Sequence, residues 1–459
     1  MTMATEESLT TATQVPTTMG LQQFLNSIPM GATRSIILLL GFVVLLLDGI
    51  EVGMWGFVYP QIAAQWGTTM SAITVIVTAG VIALTAGSMI GGPLSDRFGR
   101  KIVVVVGVGL FSVFTFLGAT SSGITALGVC RVLACAGLGA VMPVAITMVS
   151  EFMPDKGKAF LISIAFCGFP MGQAVAGYVA ATVVPDYGWK WLLIVGGAMG
   201  AVVLPFLLWK LPESVAYLVQ RGRGEDEGRR ILRRIAPDAD LSNLVLAHRA
   251  ADESAPPKSS IGTVLSRKLL LTSALIWLCY FISAAVTYMI INYLPLIMNN
   301  YGMGAAGSGN IVAMTGWGGA VGSLAVGYAM SRVGRHRVLI ASFTLAALSV
   351  WAVNVGTWGL VGLLALGFAW GFLIAGTNSG LNALSALSFP TEARGTGVAW
   401  MHGFGKAGSI VSGVLGGAML SAGWGVDAIF STLGFPLLLG AAAIVVLGTV
   451  ARRPSHTAT

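Results

Sequence analysis

Apolar residues in this chain gather into long, unbroken stretches separated by short polar breaks. A helix rises 1.5 Å per residue, so roughly 20 apolar residues cross the hydrocarbon layer of a bilayer. Twelve stretches meet that requirement: 35–59, 70–94, 101–119, 123–149, 158–182, 190–210, 268–293, 307–330, 337–354, 358–386, 396–420 and 428–450. Continuous rather than alternating apolar character argues for helices and against the strands of a membrane barrel. Most connections are short. The exception is 211–267, which is charged and interrupted by Pro237, Pro256 and Pro257. The pattern thus predicts a tail (1–33), six helices (34–210), a linker (211–267), six more helices (268–450) and a second tail (451–459).

Composition removes the competing classes. Hydrophobic residues make up 55% of the 459 and charged residues 10%, with a mean hydropathy of +0.83. A soluble domain carries about 25% charged residues, so soluble, disordered, collagenous and coiled-coil readings fall away. The four cysteines sit inside apolar runs with no CxxC pair, as packed thiols do. Residues 1–33 are polar and lack the short basic start and apolar core of a signal peptide; they read as a disordered cytoplasmic tail.

The net charge of +8 matters less than where the cations lie. With the first residue inside, Arg34, Arg97, Arg100, Lys101, Lys156, Lys158, Arg332, Arg335, Arg337, Arg394, Arg452, Arg453 and the cluster from Lys210 to Lys268 all fall on the inner side. Lys190 is the exception outside. By the positive-inside rule both termini are then cytoplasmic and the chain is multi-pass in a cell membrane. The basic excess is accounted for by topology, so no nucleic-acid partner is expected; the bilayer is.

The halves repeat. Gly92-Pro-Leu-Ser-Asp-Arg-Phe-Gly-Arg-Lys101 follows the second stretch and Gly327-Tyr-Ala-Met-Ser-Arg-Val-Gly-Arg-His336 the eighth, at an offset of 235. Gly92, Arg97, Gly99 and Arg100 match Gly327, Arg332, Gly334 and Arg335, while Ser331 replaces Asp96. Phe152-Met-Pro154 and Ser388-Phe-Pro390 form a second related pair. Parallel repeats imply a pseudo-two-fold axis along the membrane normal with a site between the halves at mid-depth. The fold class expected is an all-α membrane protein, twelve transmembrane helices in two pseudo-symmetric six-helix bundles.

A charge at mid-membrane costs about 3 kcal/mol or more and persists where it faces a cavity or a partner. Five residues qualify: Asp48, Glu51, Arg131, His402 and Lys406. Asp48 and Glu51 are three apart and share a helical face. Two nearby carboxylates resist joint ionisation, which suits a proton carrier, although a fixed ion-paired role is the alternative. His402 and Lys406 are four apart and also share a face. Lys406 lies too deep to reach an interface and reads as an anchor for a carboxylate or as counter-ion to Asp48 or Glu51. Arg131 pairs with an acid of the first helix or attracts an anion. Tyr288, Asn292, Asn378, Asn382 and Gln173 offer polar groups to a substrate or to one another. Trp55, Phe57, Phe166, Phe169 and Trp400 could stack on a ring. The chain has no phosphate-cradling loop, metal-ligand cluster or nucleophile elbow. Neither an enzyme nor a metal or organic cofactor is expected; protons would be the coupling ion.

Gly91-Gly-Pro-Leu-Ser-Asp-Arg-Phe-Gly-Arg-Lys101, Arg131 with Gly137 and Gly139, and Leu211-Pro-Glu-Ser214 resemble motifs of the major facilitator superfamily, over nearly the whole chain. Asp48-Gly-Ile-Glu51, Phe166-Cys-Gly-Phe-Pro170, Pro390-Thr-Glu-Ala-Arg-Gly-Thr-Gly397 and Gly403-Phe-Gly-Lys406 resemble its aromatic acid:proton symporters. Glu51 stands where that group has Asp and keeps the charge. Lys406 stands where it usually has Arg and lacks the bidentate fork. The resemblance implies a proton-coupled importer of a small organic acid, an aromatic carboxylate, working by alternating access as a monomer. Asp48, Glu51 and Arg131 would couple the proton. Proton-driven export and ligand sensing without transport are the alternatives. In the loop motif, Asp96 is expected to cap a helix of the other half, with Arg97, Arg100, Lys101, Glu151 and Arg394 completing a latch that closes the cytoplasmic side.

Overall fold

The computed structural model describes residues 19–220, 225–237, 244–245, 260–300, 303–355, 358–389 and 394–450. The first half is built from α1 (Ala32–Trp66), α2 (Met70–Phe98), α3 (Arg100–Ala119), α4 (Ile124–Phe152), a broken α5 (Lys158–Phe166 and Gly168–Tyr187) and α6 (Trp189–Lys210). The second comprises α7 (Leu270–Asn300), α8 (Ala305–Val333), α9 (Arg335–Trp351), α10 (Leu360–Ser388), α11 (Arg394–Ser421) and α12 (Val426–Val450). Eleven of these helices are long and apolar enough to span a membrane. The remaining one, α11, carries His402 and Lys406 near its middle and is rich in glycine. The molecule is a multi-pass, all-helical membrane protein.

Local chemistry places the breaks. Pro170 has no N–H to offer the carbonyl of Phe166 and its ring crowds that turn, so α5 divides between Phe166 and Gly168. Gly99 separates α2 from α3 with φ +102°, and Gly334 separates α8 from α9 with φ +110°. Only glycine takes that backbone without strain. These two positions are 235 apart, so the sequence repeat is also a repeat of chain geometry.

Small residues set the helix approaches. Gly87 and Gly91 of α2 lie against Ala136 and Ala140 of α4, and Gly318 and Gly322 of α8 lie against Phe368 and Phe372 of α10. A side chain at any of them would meet neighbouring backbone, so these helices pack at glycine distance. The same device joins the halves. Gly56 of α1 meets Ile291 and Pro295 of α7; Gly177 of α5 meets Gly309 of α8; Gly413 and Gly417 of α11 meet Thr78 and Thr74 of α2. The Cys167 thiol lies 3.9 Å from the Ala320 carbonyl. All these contacts run from mid-length to the end of the bundle opposite the loop motif. At the motif end, Gly92 and Gly327 have open space around them. The glycine contacts named here between the halves thus lie away from the motif.

The N-terminal segment corrects the expectation of a disordered tail. Residues Leu21–Ser27 form a helix with Phe24 and Leu25 buried. Arg34, wholly buried, donates to the carbonyls of Leu25 at 2.5 Å and Ile28 at 2.9 Å, satisfying groups the helix end leaves open. Gln22 and Asn26 donate to the Asp155 carboxylate at 3.0 and 2.7 Å, and Lys158 lies 3.0 Å from it. The strap is tied further to the linker, through Met19–Gly20 paired with Leu244–Val245 and Thr33 bonded to the Arg234 carbonyl. The linker itself contains the helices Val215–Gln220, Glu225–Ile235 and Ser260–Val264.

The hydrogen bonds from Asn26, with help from Lys158 and Gln22, hold the Asp155 carboxyl below its ordinary value. A carboxylate whose folded value is depressed contributes stability above its unfolded value of about 3.9, and that contribution fades as pH falls through the folded one. Amide exchange in 21–27, corrected for intrinsic rates, is expected to stay protected near neutrality and to loosen in acid. Asp155→Asn should remove that pH dependence. A wild-type profile flat in acid would count against the tie.

Candidate functional site

α1 passes through the middle of the first half with one face built from Asp48, Glu51 and Trp55. Both acids are buried, Asp48 at 5% and Glu51 at 0% exposure. Arg131, rising from α4 and 3% exposed, forms an ion pair with Glu51. The same Oε1 accepts from the Trp55 indole at 2.9 Å, and the Cys135 thiol lies 3.8 Å away. The guanidinium stacks over the Trp55 ring at 4.6 Å. Gly80 of α2 leaves room for it, since a Cβ there would press on Arg131. Such pairing answers the cost of burying each charge.

Pairing is incomplete. Glu51 Oε2, Arg131 Nε and Asp48 Oδ1 are buried with no hydrogen-bond partner among the described residues. Buried polar groups normally find partners, and the exceptions here gather at one place. Asp48 and Lys406 lie near enough for each to act electrostatically on the other. Lys406 comes from α11 and makes no ion pair among the described residues. It is partly exposed, on the face of α11 turned to the other half. An acid–base row thus runs Arg131, Glu51, Asp48, Lys406 across the junction of the halves; the last three lie near mid-length of their helices and Arg131 about two turns from the start of α4.

The remaining candidates divide. Tyr288 packs with Val52, Leu84, Cys135 and Ile291 at the same junction and shares the electrostatic environment of Asp48. His402, one turn from Lys406, meets the Tyr280 hydroxyl at 3.1 Å through Nδ1. Asn378 donates to Thr287 at 3.3 Å and Asn382 to the Asn378 carbonyl at 2.9 Å. Gln173 and Asn292 are buried, at 6% and 2% exposure, with side-chain nitrogens lacking partners among the described residues. Trp400 does not join the row. It stands on the other face of α11, 38% exposed, stacked with Phe404 around Trp277. Six positions separate it from Lys406, which turns the two side chains about 120° apart on a helix.

The loop motif is also rearranged relative to expectation. The cap on α3 is the Glu213 carboxylate, which accepts from the backbone N–H of Arg100 at 2.9 Å and of Lys101 at 3.1 Å. Gly99 permits the approach, since a Cβ there would collide with that carboxylate. Arg100 pairs with Glu151, and Ser214 bridges them, donating to Glu151 at 2.5 Å and accepting from Arg100 at 3.2 Å. Lys101 donates to the Leu208 carbonyl at 2.8 Å and Tyr217 to the Arg97 carbonyl at 3.3 Å. Asp96 is exposed and acts on Arg100 through its charge. These contacts join elements of the first half to one another. Glu213 supplies the carboxylate from just beyond the end of α6. Glu213 and Ser214 were visible in Leu211-Pro-Glu-Ser214, whose role a linear reading leaves open. The side chain of Arg394 lies outside the described residues.

Twelve helices in two repeated halves, with ionisable groups buried at their junction, define a membrane transporter rather than an enzyme. The sequence profile of the Major Facilitator Superfamily matches residues 41–279 and 276–459, and the chain belongs to that family. Among its relatives is the 4-hydroxybenzoate transporter PcaK of Pseudomonas aeruginosa, 34% identical over 432 residues, 94% of this chain and 96% of the relative. The gallate transporter of Pseudomonas putida is 32% identical over 441 residues, covering 95% and 97%. The benzoate transport protein of Acinetobacter baylyi is 26% identical over 410 residues, covering 88% and 87%.

Proposed function

We propose that this chain imports an aromatic carboxylate together with a proton, by alternating access between its two halves. The observation that carries this is the pairing of unlike charges across the halves: Lys406 of the second interacts electrostatically with buried Asp48 of the first and makes no ion pair among the described residues. A cation so placed holds a carboxylate in the gap between the halves, and Asp48, relieved of its counter-charge, takes the proton. Arg131 holds Glu51 in place beside it. The three relatives named above carry ring carboxylates by their names, which supports the substrate class. Ring and alkyl surface come from Tyr288, Phe169 and Val52 around the row. One chain brings both halves of the site, which supports action as a monomer with protons as the coupling ion.

The Lys and Arg distribution supports a cytoplasmic motif end with both termini on that side, and the bacterial relatives support an inner membrane. The inter-half glycine contacts on the far side then support a state open inward. The outward state requires the contacts of α2 with α11 and of α5 with α8 to part on the far side.

Lys406→Ala is expected to weaken benzoate binding about 10- to 100-fold, since a hydrogen bond to a charged group contributes about 1.5–3 kcal/mol. Lys406→Arg should keep most of the affinity. Titration of purified protein with labelled benzoate reads this directly, and equal dissociation constants in all three proteins would remove Lys406 as the anchor. Saturable, acid-outside-driven uptake of benzoate into proteoliposomes tests the function as a whole.

A further inference from the structure

One polar cluster beside Lys406, on α7, α10 and α11, has no part in holding the carboxylate or the proton. The Tyr280 hydroxyl and His402 Nδ1 are 3.1 Å apart, with rings edge to face at 5.0 Å. Nε2 of His402 has no partner among the described residues. If tyrosine is the donor, Nε2 carries the hydrogen and can donate; if the imidazole is the donor, Nε2 can accept. Asn382 lies beside Tyr280, and its amide nitrogen is already engaged with the Asn378 carbonyl. Its oxygen is therefore turned away from that bond.

Asn378 is constrained in the same way. The Thr287 hydroxyl is donated to the Ser283 carbonyl at 2.7 Å, so its oxygen can only accept, and Asn378 must present nitrogen to it. That leaves Asn378 Oδ1 buried with no donor. The cluster thus offers the Asn378 amide oxygen and an imidazole nitrogen that can serve either way. A second ammonium there would face Lys406 one turn off. A neutral O–H group, both donor and acceptor, fits without that repulsion.

We propose that Tyr280 and His402, with the Asn378–Asn382 edge, form a subsite for a hydroxyl on the ring of the carried acid. The chain then selects phenolic carboxylates over unsubstituted ones. This rests on Lys406 as the carboxylate anchor. His402 and Lys406 are four residues apart on one face, about 6 Å along the axis, comparable to the span from a carboxylate to a para hydroxyl across one ring. A site built to bond a hydroxyl leaves its own groups unpaired when the hydroxyl is missing, and discriminates accordingly.

The test measures dissociation constants of 4-hydroxybenzoate and benzoate for purified full-length protein. Wild type is expected to prefer 4-hydroxybenzoate by about tenfold or more. His402→Leu should move the ratio toward one, and His402→Gln, which keeps a donor and an acceptor, should retain part of the preference. Tyr280→Phe keeps the ring against Gly405 and tests the pair where His402→Leu fails to fold; it should also lower the ratio. Benzoate binding to wild type with no preference overturns the subsite alone. So does a preference unchanged in both His402→Leu and Tyr280→Phe. Failure of wild type to bind either acid overturns the aromatic-carboxylate function, and the subsite with it.

Discussion

Asp48→Asn is expected to abolish proton-driven uptake while leaving exchange of labelled for unlabelled substrate intact. Exchange returns the carrier loaded and needs no net proton transfer; net uptake does. Asp48 is the acid in the row with no hydrogen-bond partner for Oδ1 among the described residues, set between Glu51 and Lys406. Asparagine fills the same space and keeps an acceptor oxygen but carries no exchangeable acid proton. A pH difference of one unit supplies about 1.4 kcal/mol per proton, a tenfold bias in the coupled step. The variant should lose that bias entirely, with its saturable net uptake falling to the rate seen when no gradient is imposed. Protein-free vesicles correct for passive entry of the neutral acid. Gradient-driven, saturable uptake at the wild-type rate would take Asp48 out of the coupling path.

The second large effect concerns stability as well as transport. Arg131→Leu strips Glu51 of its ion-pair partner at 0% exposure, and removing one member of a buried pair costs about 3–5 kcal/mol. The variant should melt far below wild type in detergent and fail to transport. The double substitution Glu51→Leu with Arg131→Leu removes both charges. Replacing a buried pair by apolar residues is often neutral, so most of the melting temperature should return while transport stays absent. A single Arg131→Leu variant that melts with wild type would show that the pair contributes little. A double variant that transports would show that Glu51 and Arg131 are structural only.

The loop motif illustrates where a linear reading stops. Asp96 reads as a cap for a helix of the other half, and no spacing points to the carboxylate that caps α3. In the folded chain Glu213 arrives from 113 positions away to bond the Arg100 N–H. Nothing in local periodicity carries a contact at that separation; it depends on how α6 ends against α2 and α3. Trp400 makes a related point. Its spacing from Lys406 already placed the two on different faces, and an aromatic residue in a greasy chain fits lipid or a neighbouring ring as well as a substrate. The strap at Leu21–Ser27 escaped notice because Leu21, Phe24 and Leu25, though at helical spacing, make up only two turns beside a long polar tail. Their burial depends on Arg34 and on a loop at Asp155.

Spans, repeat and buried charges were all legible in the order of residues. Twelve apolar stretches have one stable solution in lipid, because every backbone group must be bonded within its own helix. An ionisable residue in such a stretch stands out by its cost. Tertiary structure alone decided which acid holds which base: Glu51 with Arg131, and Asp48 left to Lys406. It also decided that the halves meet away from the motif, and that His402 pairs with Tyr280. These depend on distances between helices far apart in the chain, set by glycine contacts whose partners no spacing rule names.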